Sequence, residues 1–262
     1  MLNDLLIEDK FGSITVPSAT LRVHGMAHEG GCNALAWCMK TDLYVSGGMD
    51  RMIRVWPQPS SQLSDSVRLM GSVGSILDLD VSYDSQFIIS GSSDKSARIW
   101  SRKTGRTVHM LQGHADQVLT VNFLPFEPLR AVTAGKDRVL KVWEGARGTC
   151  TRSMPCHSII NASEVGSDGT LYTGHYDGKL RQWDFRTARQ TLEMADLHSG
   201  TGGVTSLCMG FNGYTLLTYV PYTHTHTHTH THTYPLLWFS HFHLHVVVSH
   251  IHEESDSYAL HD

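Results

Sequence analysis

Four aspartates, Asp50, Asp94, Asp137 and Asp177, each stand six residues before a tryptophan: Trp56, Trp100, Trp143 and Trp183. Four residues ahead of each aspartate is a hydroxyl, on Ser46, Ser90, Thr133 or Thr173. A carboxylate, a hydroxyl and an indole N–H form a donor–acceptor series that one imidazole can complete, with a ring nitrogen turned to each oxygen. Such residues also serve general acid–base catalysis. A set recurring four times at fixed offsets, however, follows repeat geometry and is not a single catalytic pair. His28 and His114 precede the first and third sets at a suitable distance. The second unit carries Gly71-Ser72-Val73-Gly74 where the histidine belongs, and His157 stands out of register ahead of the fourth. Two of the four networks therefore read as incomplete, and a buried polar network is favourable only when every member is satisfied.

A second chemistry lies near the C-terminus, where residues 223–233 read THTHTHTHTHT. In an extended strand the alternation puts five histidines on one face, about 7 Å apart, a row that could take up zinc or nickel. The same tract is what an ACACAC repeat in DNA encodes, and the Asp–Trp signature stops as the tract approaches. It therefore reads as read-through of a microsatellite, and neither metal nor cofactor is assigned.

The elements that must position the four sets are strands. SGGMDRMIRVW, SGSSDKSARIW, TAGKDRVLKVW and TGHYDGKLRQW align without gaps, their tryptophans 44, 43 and 40 residues apart. Short runs rich in Val, Ile, Leu and Thr, split by Gly, Ser and Asp turns, give about four strands in each interval of ~40–45 residues, the spacing of a propeller blade. The aspartate falls in the turn between second and third strands, where its carboxylate can accept backbone N–H groups. VTSLCMG (204–210) and TLLT (215–218) read as the first two strands of a fifth blade. ATLRVHGMAHEGG, from Ala19, reads as an outer strand followed by the loop into the first blade. The expectation is an all-β chain: a leader over 1–18 without order, a partial propeller over 19–218, and a disordered Thr/His tail over 219–262. Such an open arc leaves apolar blade faces uncovered.

Composition excludes several functions. The net charge is −4, which argues against a strongly basic nucleic-acid binder. Residues 1–218 hold all 21 Lys and Arg and 21 of the 25 acids; residues 219–262 hold 11 of the 18 histidines. Five cysteines without a Cys-x-x-Cys pair make no zinc framework. The N-terminus lacks the basic region of a secretory signal, and no run is long enough to span a membrane as an apolar helix. No glycine-rich phosphate loop, nucleophile elbow or HExxH is present, so no enzyme is expected. Arg51, Lys95 and Arg138 follow the turn aspartates, and Arg54, Arg98, Lys141 and Arg181 stand two residues before the tryptophans. Both sets read as a solvated strand face.

These units resemble WD repeats, in which the Asp, hydroxyl, His and Trp serve the fold. The flanks are more specific. TVPSATLRVHGMAHEGGCNAL, GSVGSILDLDVSYDSQFIIS, VWEGARGTCTRSM and SDGTLYTGHYDGKLRQWDFRTARQ are similar to the propeller of the autophagy-related protein 16 family, in particular its plant-like form, over residues 15–218. The resemblance implies a cytoplasmic, non-enzymatic scaffold recruited to the forming autophagosome, with protein partners in the autophagy conjugation machinery. It also implies a part in directing lipidation of the ubiquitin-like modifier. The family's N-terminal helix and coiled coil have no counterpart among these residues, so binding to autophagy-related protein 5 and coiled-coil dimerisation are not expected. An alternative is a substrate receptor of a cullin-type ubiquitin ligase, because Trp183-Asp184-Phe185-Arg186 fits a WDxR box, with Asp184 and Arg186 as the adaptor contacts. The Phe-Arg-Arg-Gly motif of phosphoinositide-binding propellers does not occur.

Overall fold

The structure is a computed structural model. It describes residues 27–38, 41, 43–56, 66–125, 129–166, 169–184, 187, 189–194, 203–209 and 215–219, with short strands before and after them. Two of these, β1 (Leu6–Ile7) and β2 (Ile14–Thr15), pair antiparallel within the leader. The expected outer strand from Ala19 and the Thr/His tract lie outside the described residues.

Four four-stranded antiparallel sheets follow. The first holds β3 (Cys32–Cys38), β4 (Leu43–Gly48), β5 (Ile53–Trp56) and β6 (Val67–Leu69). The second holds β7 (Ile76–Val81), β8 (Phe87–Ser92), β9 (Ser96–Ser101) and β10 (Thr107–Gln112). The third holds β11 (Val118–Phe123), β12 (Arg130–Gly135), β13 (Val139–Glu144) and β14 (Thr149–Pro155). The fourth holds β15 (Ile160–Val165), β16 (Leu171–His175), β17 (Leu180–Asp184) and β18 (Arg189–Met194). Each sheet is a propeller blade, and register repeats from blade to blade. The hydroxyl residue always faces the residue two before the tryptophan: Ser46–Arg54, Ser90–Arg98, Thr133–Lys141 and Thr173–Arg181. A bulge interrupts the first strand at the same place in every blade, between Cys32 and Ala34, Ile76 and Asp78, Val118 and Thr120, and Ile160 and Ala162.

The fifth sheet begins as the sequence predicts, with β19 (Ser206–Met209) antiparallel to β20 (Thr215–Tyr219). Among the described residues no Asp–Trp strand follows. Instead β22 (His245–Val248) from the tail lies parallel to β20, and β21 (Tyr234–Pro235) pairs with β22.

Strand alternation gives each blade two apolar faces, and the core consists of the seams between them. The first seam joins Val45, Ile53, Val55 and Leu69 to Ile76, Leu79, Ile88 and Trp100. The next joins Ile89, Ala97, Ile99 and Leu111 to Val118, Val121, Phe123, Ala131 and Trp143. The third sets Val132, Leu140, Val142 and Met154 against Ile160, Leu171 and Trp183, and the last sets Tyr172 and Leu180 against Val204, Leu207 and Leu216. Trp100, Trp143 and Trp183 therefore pack on the preceding blade, and each aliphatic side chain fully buried in a seam contributes about 1.5–3 kcal/mol. The residue after each hydroxyl is Gly47, Gly91, Ala134 or Gly174. A side chain at Gly47 or Gly174 would run into Ile76 or Val204 of the next blade.

The first strands stand side by side around a channel of about 740 Å³. Their edges are fastened by side chains rather than by ladder hydrogen bonds. Asp78 accepts the N–H groups of Leu79 and Val121 at 2.9 and 2.8 Å, and Asp80 those of Val81 and Phe123 at 2.7 and 2.6 Å. Thr120 accepts the Ser163 N–H at 3.0 Å, and Asn33 and Asn161 donate to the carbonyls of Ile76 and Val204 at 2.8 and 3.1 Å. Burial raises the carboxyl pKa values of Asp78 to about 6 and of Asp80 and Glu164 to about 7, the last helped by repulsion from Asp80.

Candidate functional site

The turn aspartates act alike in all four blades. Each carboxylate accepts the N–H two residues on, from Met52, Ser96, Val139 and Lys179 at 3.2, 3.0, 3.2 and 3.2 Å. This Asx turn places the next residue in the left-handed region, at φ 65° for Arg51, 69° for Lys95, 61° for Arg138 and 76° for Gly178. The cations after the aspartates are thus turn residues. In each blade the indole N–H also donates to the hydroxyl, over 2.9 Å for Trp56–Ser46 and Trp100–Ser90 and 2.7 Å for Trp143–Thr133 and Trp183–Thr173.

Blades one and three close the series with a loop histidine. His114 Nδ1 lies 2.8 Å from Asp137 and Nε2 lies 2.7 Å from Thr133. Burial pushes the His114 pKa down against the pull of Asp137, so the ring is neutral. Its Nδ1–H donates to the carboxylate and its Nε2 accepts the Thr133 hydroxyl, which makes a one-way relay from Trp143 through Thr133 and His114 to Asp137. His28 makes the same contacts, 2.9 Å to Asp50 and 2.8 Å to Ser46. Gly48 leaves the space for it, since a Cβ there would strike the His28 ring.

Blades two and four differ from the sequence reading. Arg98 and Arg181 do not belong to a solvated face: they are 3% and 2% exposed and turn inward. Arg98 Nη2 lies 2.7 Å from Asp94, and Arg181 Nη2 lies 2.7 Å from Asp177. With Gly71–Gly74 ahead of blade two and His157 exposed ahead of blade four, the carboxylate gains its partner from its own third strand, because residues four apart here meet across the turn. Burial would raise the Asp94 carboxyl, but the bonds from Arg98 and Ser96 outweigh it and hold the pKa down at about 2. Arg181 Nε also reaches Glu193 at 2.9 Å, and Lys179 and Arg181 together keep Glu193 at about 2. In blade four the hydroxyl meets a histidine as well. His175, two residues beyond Thr173 on the same strand, places Nε2 2.8 Å from Thr173. Burial and the Arg181 charge bring its pKa down to about 4. The sequence signal for this histidine was its position: it stands where blades one and three have Gly48 and Gly135.

Of the adaptor contacts suggested by the WDxR box, Asp184 accepts the Thr187 N–H at 3.4 Å, and Arg186 lies outside the described residues. Among the described residues there is no cluster of histidine, cysteine and carboxylate that could hold a metal, and no helix long and apolar enough to cross a membrane.

The networks are built into blades and aimed at their seams, where they tie the third strand of each blade to its second. The WD domain, G-beta repeat profile matches residues 16–57, 65–101, 105–144 and 148–184. The chain belongs to the WD-repeat family. Among curated relatives, this WD-repeat chain is 37% identical over 212 residues to Autophagy-related protein 16 of Arabidopsis thaliana, covering 80% of the chain and 40% of that protein. It is 26% identical to Autophagic-related protein 16.2 of Caenorhabditis elegans, over 71% of the chain and 35% of the relative. Pre-mRNA-splicing factor cwf17 of Schizosaccharomyces pombe matches at 29% over 55% of the chain and 42% of its own length. The chain thus spans about two fifths of the length of these relatives.

Proposed function

We propose that this WD-repeat chain is a non-enzymatic scaffold of autophagosome assembly, acting by protein contacts in the cytoplasm and at the forming membrane. It would bring autophagy adaptors or conjugation proteins together and help direct lipidation of the ubiquitin-like modifier. The supporting observation is the 37% identity to Autophagy-related protein 16 across 80% of the chain, well beyond what the Asp and Trp positions of the repeats alone account for. The inward-turned polar networks agree with it: the residue types that could do acid–base chemistry are committed to holding strands in place.

The test is a fluorescently tagged chain expressed in starved and fed cells. Puncta that increase on starvation and overlap the lipidated modifier support the proposal. A chain that stays diffuse in both states overturns it. Recovery of a cullin-ligase adaptor, lost in Arg186→Ala while the melting temperature is unchanged, would replace it with the ligase-receptor function.

A further inference from the structure

The channel wall is unevenly charged. Asp80, Asn122 and Glu164 hold one register position on the first strands of blades two, three and four. Asp78 and Thr120 share the inward position two residues earlier. All five line the channel, and the three acids are half-buried in its wall. Their carboxyls fasten blades. Asp78 and Asp80 take N–H groups of blade three, and Glu164 repeats the Asp80 bond by taking the Met209 N–H of the fifth sheet. Blade three, between them, brings no charge: Thr120 accepts the Ser163 N–H, and the Asn122 amide oxygen accepts the Ser163 hydroxyl. The other titratable groups facing the three acids are Tyr83, Cys208 and Tyr172, which stands opposite Glu164 across β15 and β16. Burial, helped by Glu164, raises the Cys208 thiol and keeps it neutral. No lysine, arginine or histidine lines the channel among the described residues.

We propose that Asp78, Asp80 and Glu164 act as one proton-operated clasp across the channel, tight while it holds protons and loosened when all three carry charge. Like charges sharing a partly dry wall without a cation cannot all ionise cheaply. Protons are then held by the group rather than by any one residue. The carboxyl pKa values agree with this geometry. Burial is the larger cause of their rise, and Asp78 adds repulsion at Asp80, as Asp80 and Asp78 do at Glu164. The sign follows from the direction of these shifts. All three are raised above the ordinary carboxylate value, to about 6 for Asp78 and about 7 for Asp80 and Glu164, so the fold binds protons that the unfolded chain releases. The clasp is tightest in mild acid and loosens as pH rises through 7. Its charge then sits on blades two and four, with neutral blade three between them, so repulsion acts across the channel to spread the inner strands.

Carbon-13 NMR of the side-chain carboxyls in the full chain, paired with amide hydrogen exchange on β11, tests this. The three carboxyls should titrate above about pH 5, over a wider range than a one-proton curve. After correction for the intrinsic pH dependence of exchange, opening of the Phe123 N–H should rise about tenfold between roughly pH 6 and 8, as Asp80 loses its proton. Glu164→Gln removes the charge on blade four. Asp80 should then titrate at a pH at least about 0.5 lower, a threefold loss of proton affinity that a merely structural glutamate would not produce. Glu144→Gln, at an exposed carboxylate on β13 that does not line the channel, should leave Asp80 where it is. Should Glu164→Gln not fold, the titration curves of the unaltered chain decide alone. Asp80 titrating in the ordinary carboxylate range, simple one-proton curves at all three acids, or an unmoved Asp80 in folded Glu164→Gln would overturn the proposal.

Discussion

Replacing Thr133 with valine tests the relay where its direction is fully determined. Thr133 is fully buried; its oxygen accepts the Trp143 indole N–H and its proton goes to His114 Nε2, both over 2.7 Å. Valine keeps the shape and removes both bonds, leaving one donor and one acceptor orphaned in a seam. Each such group costs about 1–3 kcal/mol, so the loss should be roughly 2–6 kcal/mol, a large share of a typical total stability of about 5–15 kcal/mol. Thr133→Ser keeps the hydroxyl and should cost only about 1 kcal/mol for its methyl group. Ser90→Ala in blade two orphans the Trp100 N–H but no imidazole, because Arg98 has taken the carboxylate there. Its cost should fall between the other two. The assay is urea unfolding followed by tryptophan fluorescence at pH 7.5. It should be paired with hydrogen exchange on β12 and β13, since stacked repeats need not unfold as one unit. Equal destabilisation by Thr133→Val and Thr133→Ser, or a Ser90→Ala loss exceeding that of Thr133→Val, would refute the reasoning.

Other outcomes follow from the same geometry. Gly178→Val should destabilise blade four by about 1–2 kcal/mol because φ is 76° there, while Arg138→Gly at φ 61° should change stability by less than about 1 kcal/mol; thermal melts compare the two. Arg98→Met should remove the cation beside the half-buried Asp94 carboxylate, which keeps its bonds from Ser96, and cost roughly 1–3 kcal/mol at neutral pH. Because Asp94 is held at about 2, its contribution is present above the ordinary carboxylate range and is lost toward pH 2, so the difference from the unaltered chain should shrink in acid. Asp80 has the opposite sign. Its pKa is raised to about 7 in the fold, so the folded state binds the extra proton and stability falls as pH rises toward 7. The deficit of Asp80→Asn relative to the unaltered chain should narrow between pH 5 and 8, by roughly 1–2 kcal/mol after allowance for channel water, as read in paired urea titrations.

The repeat made the fold legible. An Asp, a hydroxyl and a Trp at fixed offsets place the second and third strands of four blades. His28 and His114 were legible for the same reason. Arg98 and Arg181 were not, since Arg54 has the same spacing in a blade whose aspartate already pairs with His28. Which cation turns inward depends on whether a loop elsewhere has supplied an imidazole, and that is a tertiary condition. His175 was missed because it reaches Thr173 from within the strand rather than from the loop. Asp78 and Asp80 read as the polar positions of an alternating strand, and nothing local shows that they fasten blades two and three.

Every functional proposal rests on four blades each held by an indole bonded to a hydroxyl. Hydrogen exchange of the tryptophan indole N–H groups by NMR measures those bonds directly. Slow exchange is predicted for Trp56, Trp100, Trp143 and Trp183, slowest at the fully buried Trp100 and Trp143, with fast exchange at the exposed Trp37. Exchange at Trp100 or Trp143 as fast as at Trp37 would contradict the account.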